Sequence, residues 1–112
     1  MPTDADAPLY SVSFQWRPGE YDAEFHRLNA IIDDVARSMP EFAGVESWRS
    51  PDGARGNAVY YWRSLEALQQ FATHPVHLDA KRQYARWYAG YRVVVAQVLR
   101  EYGDGRMGEW PA

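Results

Sequence analysis

Residues 57–102, NAVYYWRSLEALQQFATHPVHLDAKRQYARWYAGYRVVVAQVLREY, carry the decision about the fold. Asn57 to Arg63 is rich in aromatic and β-branched residues and reads as a strand. Ser64 is a natural N-cap for a helix over Leu65 to Thr73, and Glu66 in its first turn suits the helix dipole. His74 precedes Pro75 and is therefore pushed out of the α region, which breaks the helix. Val76 to Tyr88 continues as a second helical segment, Gly90 resets the chain, and Tyr91 to Tyr102 reads as a long strand dominated by valine.

Upstream, Leu9 to Arg17 sets Leu, Ser, Ser and Gln against Tyr, Val, Phe and Trp, a period-2 pattern with one strongly apolar face. Pro18-Gly19 is a turn. Phe25, Leu28, Ile31, Ile32, Val35 and Met39 recur at helical spacing, predicting an amphipathic helix over about Tyr21 to Met39 that Pro40 stops. Ala43 to Ser50 is a further strand, followed by a hairpin loop through Pro51-Asp52-Gly53 and Gly56. The order is β-α-β-β-α-β, an α+β ferredoxin-like protomer whose antiparallel sheet carries its helices on one face. Residues 9–103 form the domain, flanked by a flexible segment at 1–8 and a Gly-rich tail at 104–112.

The last strand is apolar on both alternations: Val93, Val95 and Leu99 on one, Val94, Ala96 and Val98 on the other. Such a strand is expected to be covered on both faces. With helices on one face only, the other is expected to meet an identical partner, giving a homodimer of facing sheets, a dimeric α+β barrel.

Composition narrows the function. The 112 residues suffice for one core; the net charge of −3 gives no electrostatic footprint for nucleic acid or an anionic membrane. Arg82, Arg86 and Arg92 still offer local sites for a small anion. No cysteine is present, which excludes disulfides, thiolate metal sites and cysteine nucleophiles. The acidic N-terminus lacks an apolar signal region, and no stretch reaches the roughly 18 to 20 apolar residues of a membrane span. A cytoplasmic protein is expected.

The segment from Tyr61 to Gly103 closely resembles the C-terminal half of antibiotic-biosynthesis-monooxygenase-like proteins of the dimeric α+β barrel superfamily. Its most specific parts are Tyr61-Trp62-Arg63-Ser64-Leu65-Glu66-Ala67, the His74-Pro75-Val76-His77 corner, and Trp87-Tyr88 leading into Tyr91-Arg92-Val93. MPEFAGVESWRSPDG, beginning at Met39, is similar to that family's entry into the second strand. The resemblance covers residues 9–103 and implies a dimer with a pocket between sheet and helices. It implies oxygenases that act on polyketide phenols without a cofactor, or, as the alternative, haem-degrading enzymes. The haem branch's Trp and His positions fall near Phe71 and Lys81, and the first strand supplies Ser11, Ser13 and Gln15 where that branch has Asn.

The expected chemistry is O2 oxidation of an electron-rich aromatic, a phenol or quinol, with no flavin or metal. His77 is the candidate base, because imidazole titrates near neutral pH. It shares a predicted helical face with Lys81, Tyr84 and Tyr88. Arg92, always charged, is the candidate for stabilising a phenolate, with Tyr84 assisting; Glu46 and Asp79 are its competing partners. Tyr60, Trp62, Phe71, His74, Trp87 and Tyr88 are the candidate substrate-binding residues. If haem binds instead, His77 or His74 is the axial ligand. The other alternative is a non-catalytic binder of hydrophobic metabolites. Each residue also has a structural role available: core packing for Trp62, a carbonyl contact for His77, a helix end for His74. Trp16 and Trp48 are assigned to sheet-face or dimer packing. Gly103, Gly105 and Gly108 match GxGxxG with no helix to follow, so they signal no nucleotide site.

Overall fold

The computed structural model describes residues 8–109, so most of the flanking segment expected at 1–8 and the last three residues of the tail lie outside the described residues. The elements are β1 (Tyr10–Pro18), α1 (Ala23–Ser38), β2 (Phe42–Arg49), β3 (Gly56–Trp62), α2 (Leu65–Ala72), α3 (Pro75–Arg82), α4 (Tyr84–Trp87) and β4 (Tyr88–Gln97). One four-stranded sheet has the order β2-β3-β1-β4, every pair antiparallel. This is the ferredoxin-like α+β fold.

Local chemistry explains the helices. The Asp22 side chain accepts from Phe25 N at 2.9 Å and starts α1, which buries Leu28, Ile32 and Ala36 at successive i+4 steps. Ser64 caps α2 by accepting from Ala67 N at 3.1 Å. His74 serves both helices: its N donates to the Phe71 carbonyl in the last turn of α2 at 3.2 Å, and as N-cap of α3 its Nδ1 accepts from Val76 N at 3.1 Å, with Pro75 following in the first turn.

Register assigns the two sheet faces. Tyr10, Val12, Phe14 and Trp16 of β1 stand beside Trp62, Tyr60, Ala58 and Gly56 of β3 and beside Gln97, Val95, Val93 and Tyr91 of β4. This is the helix side. Trp62, at 0% exposure, packs there with Ile32, Ala36, Ala67, Leu68 and Phe71. The other face carries a smaller cluster of Leu9, Val59 and Tyr61. The Tyr61 hydroxyl donates to Glu46 on that face at 3.2 Å.

Three expectations change. The second helical segment does not run through to Tyr88: it breaks at Gln83, and Tyr88 already belongs to β4. His77, Lys81, Tyr84 and Tyr88 therefore do not form one helical face. Gly90 does not reset the chain either, since it pairs with Arg17 inside β4. At the far end β4 stops at Gln97, not Tyr102, because its neighbour β1 begins at Tyr10. The last backbone bond is Val98 N to Leu9 O, 2.8 Å. Past it no described strand of the protomer lies alongside, and Leu99 and Tyr102 are 89% and 86% exposed.

Candidate functional site

The helix-side interior contains two aromatic groups. In the first, Phe71 lies 5.0 Å from Trp62, 5.8 Å from Tyr60 and 4.9 Å from His77, ring centre to ring centre. In the second, Phe14 lies 5.2 Å from Tyr88 and 5.7 Å from Tyr91, Phe25 stacks on Tyr21 at 4.2 Å, and Phe25 meets Trp87 at 5.5 Å. Both Tyr88 and Tyr91 reach this side because the β1–β4 register shifts between Arg17 and Pro18. A bulge of this kind re-aims a side chain that regular alternation would send to the other face.

Asp22 holds the second group in place. Its Oδ1 accepts from Trp87 Nε1 at 2.9 Å as well as from Phe25 N, and its Oδ2 accepts from Arg86 at 2.7 Å. The Phe25 amide most of all, with Trp87 and Arg86 after it, keeps the Asp22 carboxyl below its ordinary pKa against the opposing effect of desolvation. Gly19 N donates to the Trp87 carbonyl at 2.8 Å on the same seam. Asp22 is absent from the residues expected of the site, although an Asp at the start of an amphipathic helix is a recognisable cap. Phe14, Tyr21 and Phe25 are absent too, and their neighbours are set by long-range pairing.

Electrostatics keep the interior uncharged. Burial raises the Tyr60 pKa, Asp33 adds to the rise and Arg37 opposes it. Burial raises the Tyr88 pKa strongly, and the nearby Tyr21 and Tyr60 add to it. Both hydroxyls stay protonated and can donate. Burial lowers the His77 pKa, Lys81 and more weakly His74 push the same way, and the Phe71 and Ala72 carbonyls resist. His77 is a neutral imidazole whose buried Nδ1 has no hydrogen-bond partner among the described residues.

The predicted site residues thus divide. Tyr60, Trp62, Phe71 and His77 come together, while Trp87, Tyr88 and Tyr84 belong to the second group. Tyr84 sits at its rim, 5.0 Å from Tyr91. Trp62 and Trp87 are fully enclosed. His74 is a cap. Arg92 stands opposite Gln15 on the helix-free face, so the sheet lies between it and His77. Its Nε donates to Gln15 Oε1 at 3.0 Å, and Nη2 donates to the same oxygen; neither Glu46 nor Asp79 is its partner. Arg82 and Arg86 are committed to Asp79 and Asp22.

Beside Phe25, Ile32, Ala80, Trp87 and Tyr88 lies a crevice of about 50 Å³. Ordinary ligand pockets hold roughly 300–1,000 Å³. Next to it the helix-side shelf of β4 is open: Tyr91, Val93 and Val95 are each about half exposed. A haem macrocycle does not fit these residues. The crevice is too small, His74 Nδ1 is spent on the α3 cap, and His77 lies against Phe71. Among the described residues no group of three or more His, Cys, Asp or Glu is placed to hold a metal ion, and no helix is long and apolar enough to cross a membrane.

Comparison with known proteins agrees with this architecture. Residues 12–96 match the family model of the monooxygenase af470-like proteins, and the chain belongs to that family, of the antibiotic-biosynthesis-monooxygenase type. YqjZ, an uncharacterized protein of Bacillus subtilis (strain 168), is 36% identical over 97 residues, 86% of this chain and 84% of that protein. A mutant of SnoaB, a cofactor-independent oxygenase from Streptomyces nogalater, superposes with a TM-score of 0.70 at 13% identity, covering 86% of this chain and 98% of SnoaB. Rv0793 from Mycobacterium tuberculosis gives 0.65 at 20% identity, covering 85% and 99%. At such identities the structural likeness is one of fold.

Proposed function

We propose that this protein is a small homodimeric monooxygenase that oxidises an electron-rich phenol or quinol with O2 and without flavin or metal. The observation that carries the reading is the pair of ring clusters on the helix side of the sheet, where burial keeps Tyr88 uncharged in one and keeps Tyr60 and His77 uncharged around Phe71 in the other. Membership of a monooxygenase-type family supports it, as does the fold shared with a cofactor-independent oxygenase.

The substrate ring lies on the open shelf of β4 against Tyr91, with Tyr84 at the rim, and reaches toward the crevice as the α3–α4 segment gives way. His77 takes the phenolic proton. The Tyr60 and Tyr88 hydroxyls donate to the developing oxyanion, a task that Arg92, behind the sheet, cannot share within one protomer. The electron-rich phenolate then reduces O2 directly. One oxygen atom replaces the ring hydrogen para to the hydroxyl, giving a quinone, and the other leaves as water. Phenol plus O2 becomes quinone plus water, so the substrate supplies all the electrons. The second subunit covers the helix-free face, where Val94 and Ala96 are exposed.

The test is oxygen uptake by the metal-free protein with a panel of naphthols and naphthalenediols whose para position is free. The reading expects uptake without any reductant, reduced in His77→Ala and Tyr88→Phe. No uptake with any member, or uptake only after flavin is added, overturns it.

A further inference from the structure

Arg92 and Glu46 stand on the same face of the sheet yet cannot reach each other. Arg92 pairs with Gln15, Gln15 with Asn57 and Asn57 with Trp48, which makes one row across all four strands on the helix-free side. Glu46 lies in the next row, with Val59, Ser13 and Val94. Neighbouring strands are about 4.8 Å apart, so the three spacings from β4 to β2 hold the Arg92 and Glu46 backbones roughly 14 Å apart. The ion pairs among the described residues use Arg27, Arg37, Arg82 and Arg86, so neither charge is paired within the protomer.

Both groups are nevertheless held in place. Arg92 spends Nε and Nη2 on Gln15 Oε1, which leaves Nη1 for a further acceptor. Glu46 receives the Tyr61 hydroxyl on Oε2 at 3.2 Å, which leaves Oε1. Around them the face is apolar and open, with Trp48 57% and Val94 42% exposed. A second sheet laid on this face takes both charges out of water, and an ion buried without a counter-ion is costly. Arg17, the other cation of this face, lies one row beyond Gln15, where the β1–β4 register slips.

We propose that two copies face each other so that Arg92 of each subunit binds Glu46 of the partner subunit, giving two symmetry-related ion pairs. Charge decides the direction of the two-fold axis. An axis across the strands lays β4 on β4 and β2 on β2. On this face β4 offers Gly90, Arg92, Val94 and Ala96 with no acid, and β2 offers Gly44, Glu46 and Trp48 with no base. Both ions would then be covered unpaired. An axis running roughly along the strands lays β4 on β2 at both edges and pairs both. Facing sheets stand roughly 10 Å apart, a gap that an arginine and a glutamate reaching from opposite sides close. Such pairs fix the orientation of a partner more than they add affinity. The inference rests on the dimer reading above and adds which strands of the two copies meet.

Sedimentation velocity of the full chain at micromolar concentration tests it by charge reversal. Arg92→Glu and Glu46→Arg each set like charges opposite one another, and each is expected to sediment as a monomer with the circular dichroism of the wild type. An equimolar mixture of the two is expected to regain the dimer, because it joins one native pair to one of reversed polarity. The double variant R92E/E46R is expected to dimerise alone. Single variants that stay dimeric, or a mixture that stays monomeric, overturn the proposal. Should a reversal disturb folding, Arg92→Gln and Glu46→Gln replace it. Each is expected to weaken the dimer at least about tenfold, with the double variant no weaker than either single one. Losses that add independently overturn the pairing. A wild-type chain that sediments as a monomer overturns the dimer itself, whereas a wild-type dimer that every variant keeps overturns the pairing alone.

Discussion

Tyr88 and Tyr91 are three residues apart on one strand, yet both rings pack on Phe14, at 5.2 and 5.7 Å. Regular alternation would put them on opposite faces. The slip beside Pro18, which has no N–H for the β4 ladder, removes one residue from the count and returns both tyrosines to the helix side. That irregularity makes the ring-lined region continuous from the crevice to the open shelf.

The seam at Gly19 leaves no room for a side chain. A Cβ there would stand 2.7 Å from the Trp87 carbonyl oxygen and 3.2 Å from Tyr88 N, both backbone atoms that cannot swing away. Gly19→Ala is expected to cost about 1–3 kcal/mol in denaturant unfolding, typical of forced overpacking. An unchanged midpoint would show that this seam is not closed.

Asp22 has two separable tasks on two oxygens. Asp22→Asn keeps an oxygen for Phe25 N and Trp87 Nε1 and loses only the exposed pairing with Arg86. Asp22→Ala removes the helix cap and strands the indole N–H of the buried Trp87. Thermal melts should rank wild type close to Asn, with Ala clearly lowest. Equal melting of the two variants contradicts the assignment.

His77 gives stability a pH dependence. Its folded pKa is below the ordinary 6.5, so the unfolded chain binds the proton first as pH falls. The stabilisation from a neutral His77 is complete above 6.5 and is lost as pH falls from there through the folded value. His77→Gln should flatten this part of the profile, measured by urea unfolding between about pH 7.5 and pH 5 against wild type. A wild-type slope in the variant would place the titration elsewhere.

Val94 is 42% exposed on the helix-free face, pointing away from the protomer's own helices. Val94→Arg is expected to turn a dimer into a folded monomer in sedimentation velocity at micromolar concentration. A wild-type chain that sediments as a monomer removes the dimer from the account.

The strand and helix order was legible because periodicity is local: the Tyr10–Trp16 alternation and the apolar spacing from Phe25 through Leu28, Ile32 and Val35 to Met39 need only neighbours in sequence. The end of β4 was not, since Val98 to Tyr102 keep a strand-like composition and stop pairing only because β1 starts at Tyr10. Nor was the site's division. Tyr88 reads as helical in sequence because the bulge and the break at Gln83 depend on how β1 and β4 meet. Arg92 falls beside His77 in one stretch of sequence, whereas the sheet separates them in space. The resemblance to antibiotic-biosynthesis monooxygenases conveyed the family and the fold; it could not indicate which side of a strand each residue faces.

The central claim is oxidation of a phenol by O2 with electrons drawn from the substrate alone. Turnover of a naphthol or naphthalenediol accepted by the wild-type protein, under isotopically heavy O2 and without added reductant, tests it most directly. The account predicts one labelled atom in the quinone for each O2 consumed, with the second label in water. A quinone whose new oxygen is unlabelled, or turnover that requires a reductant, contradicts it.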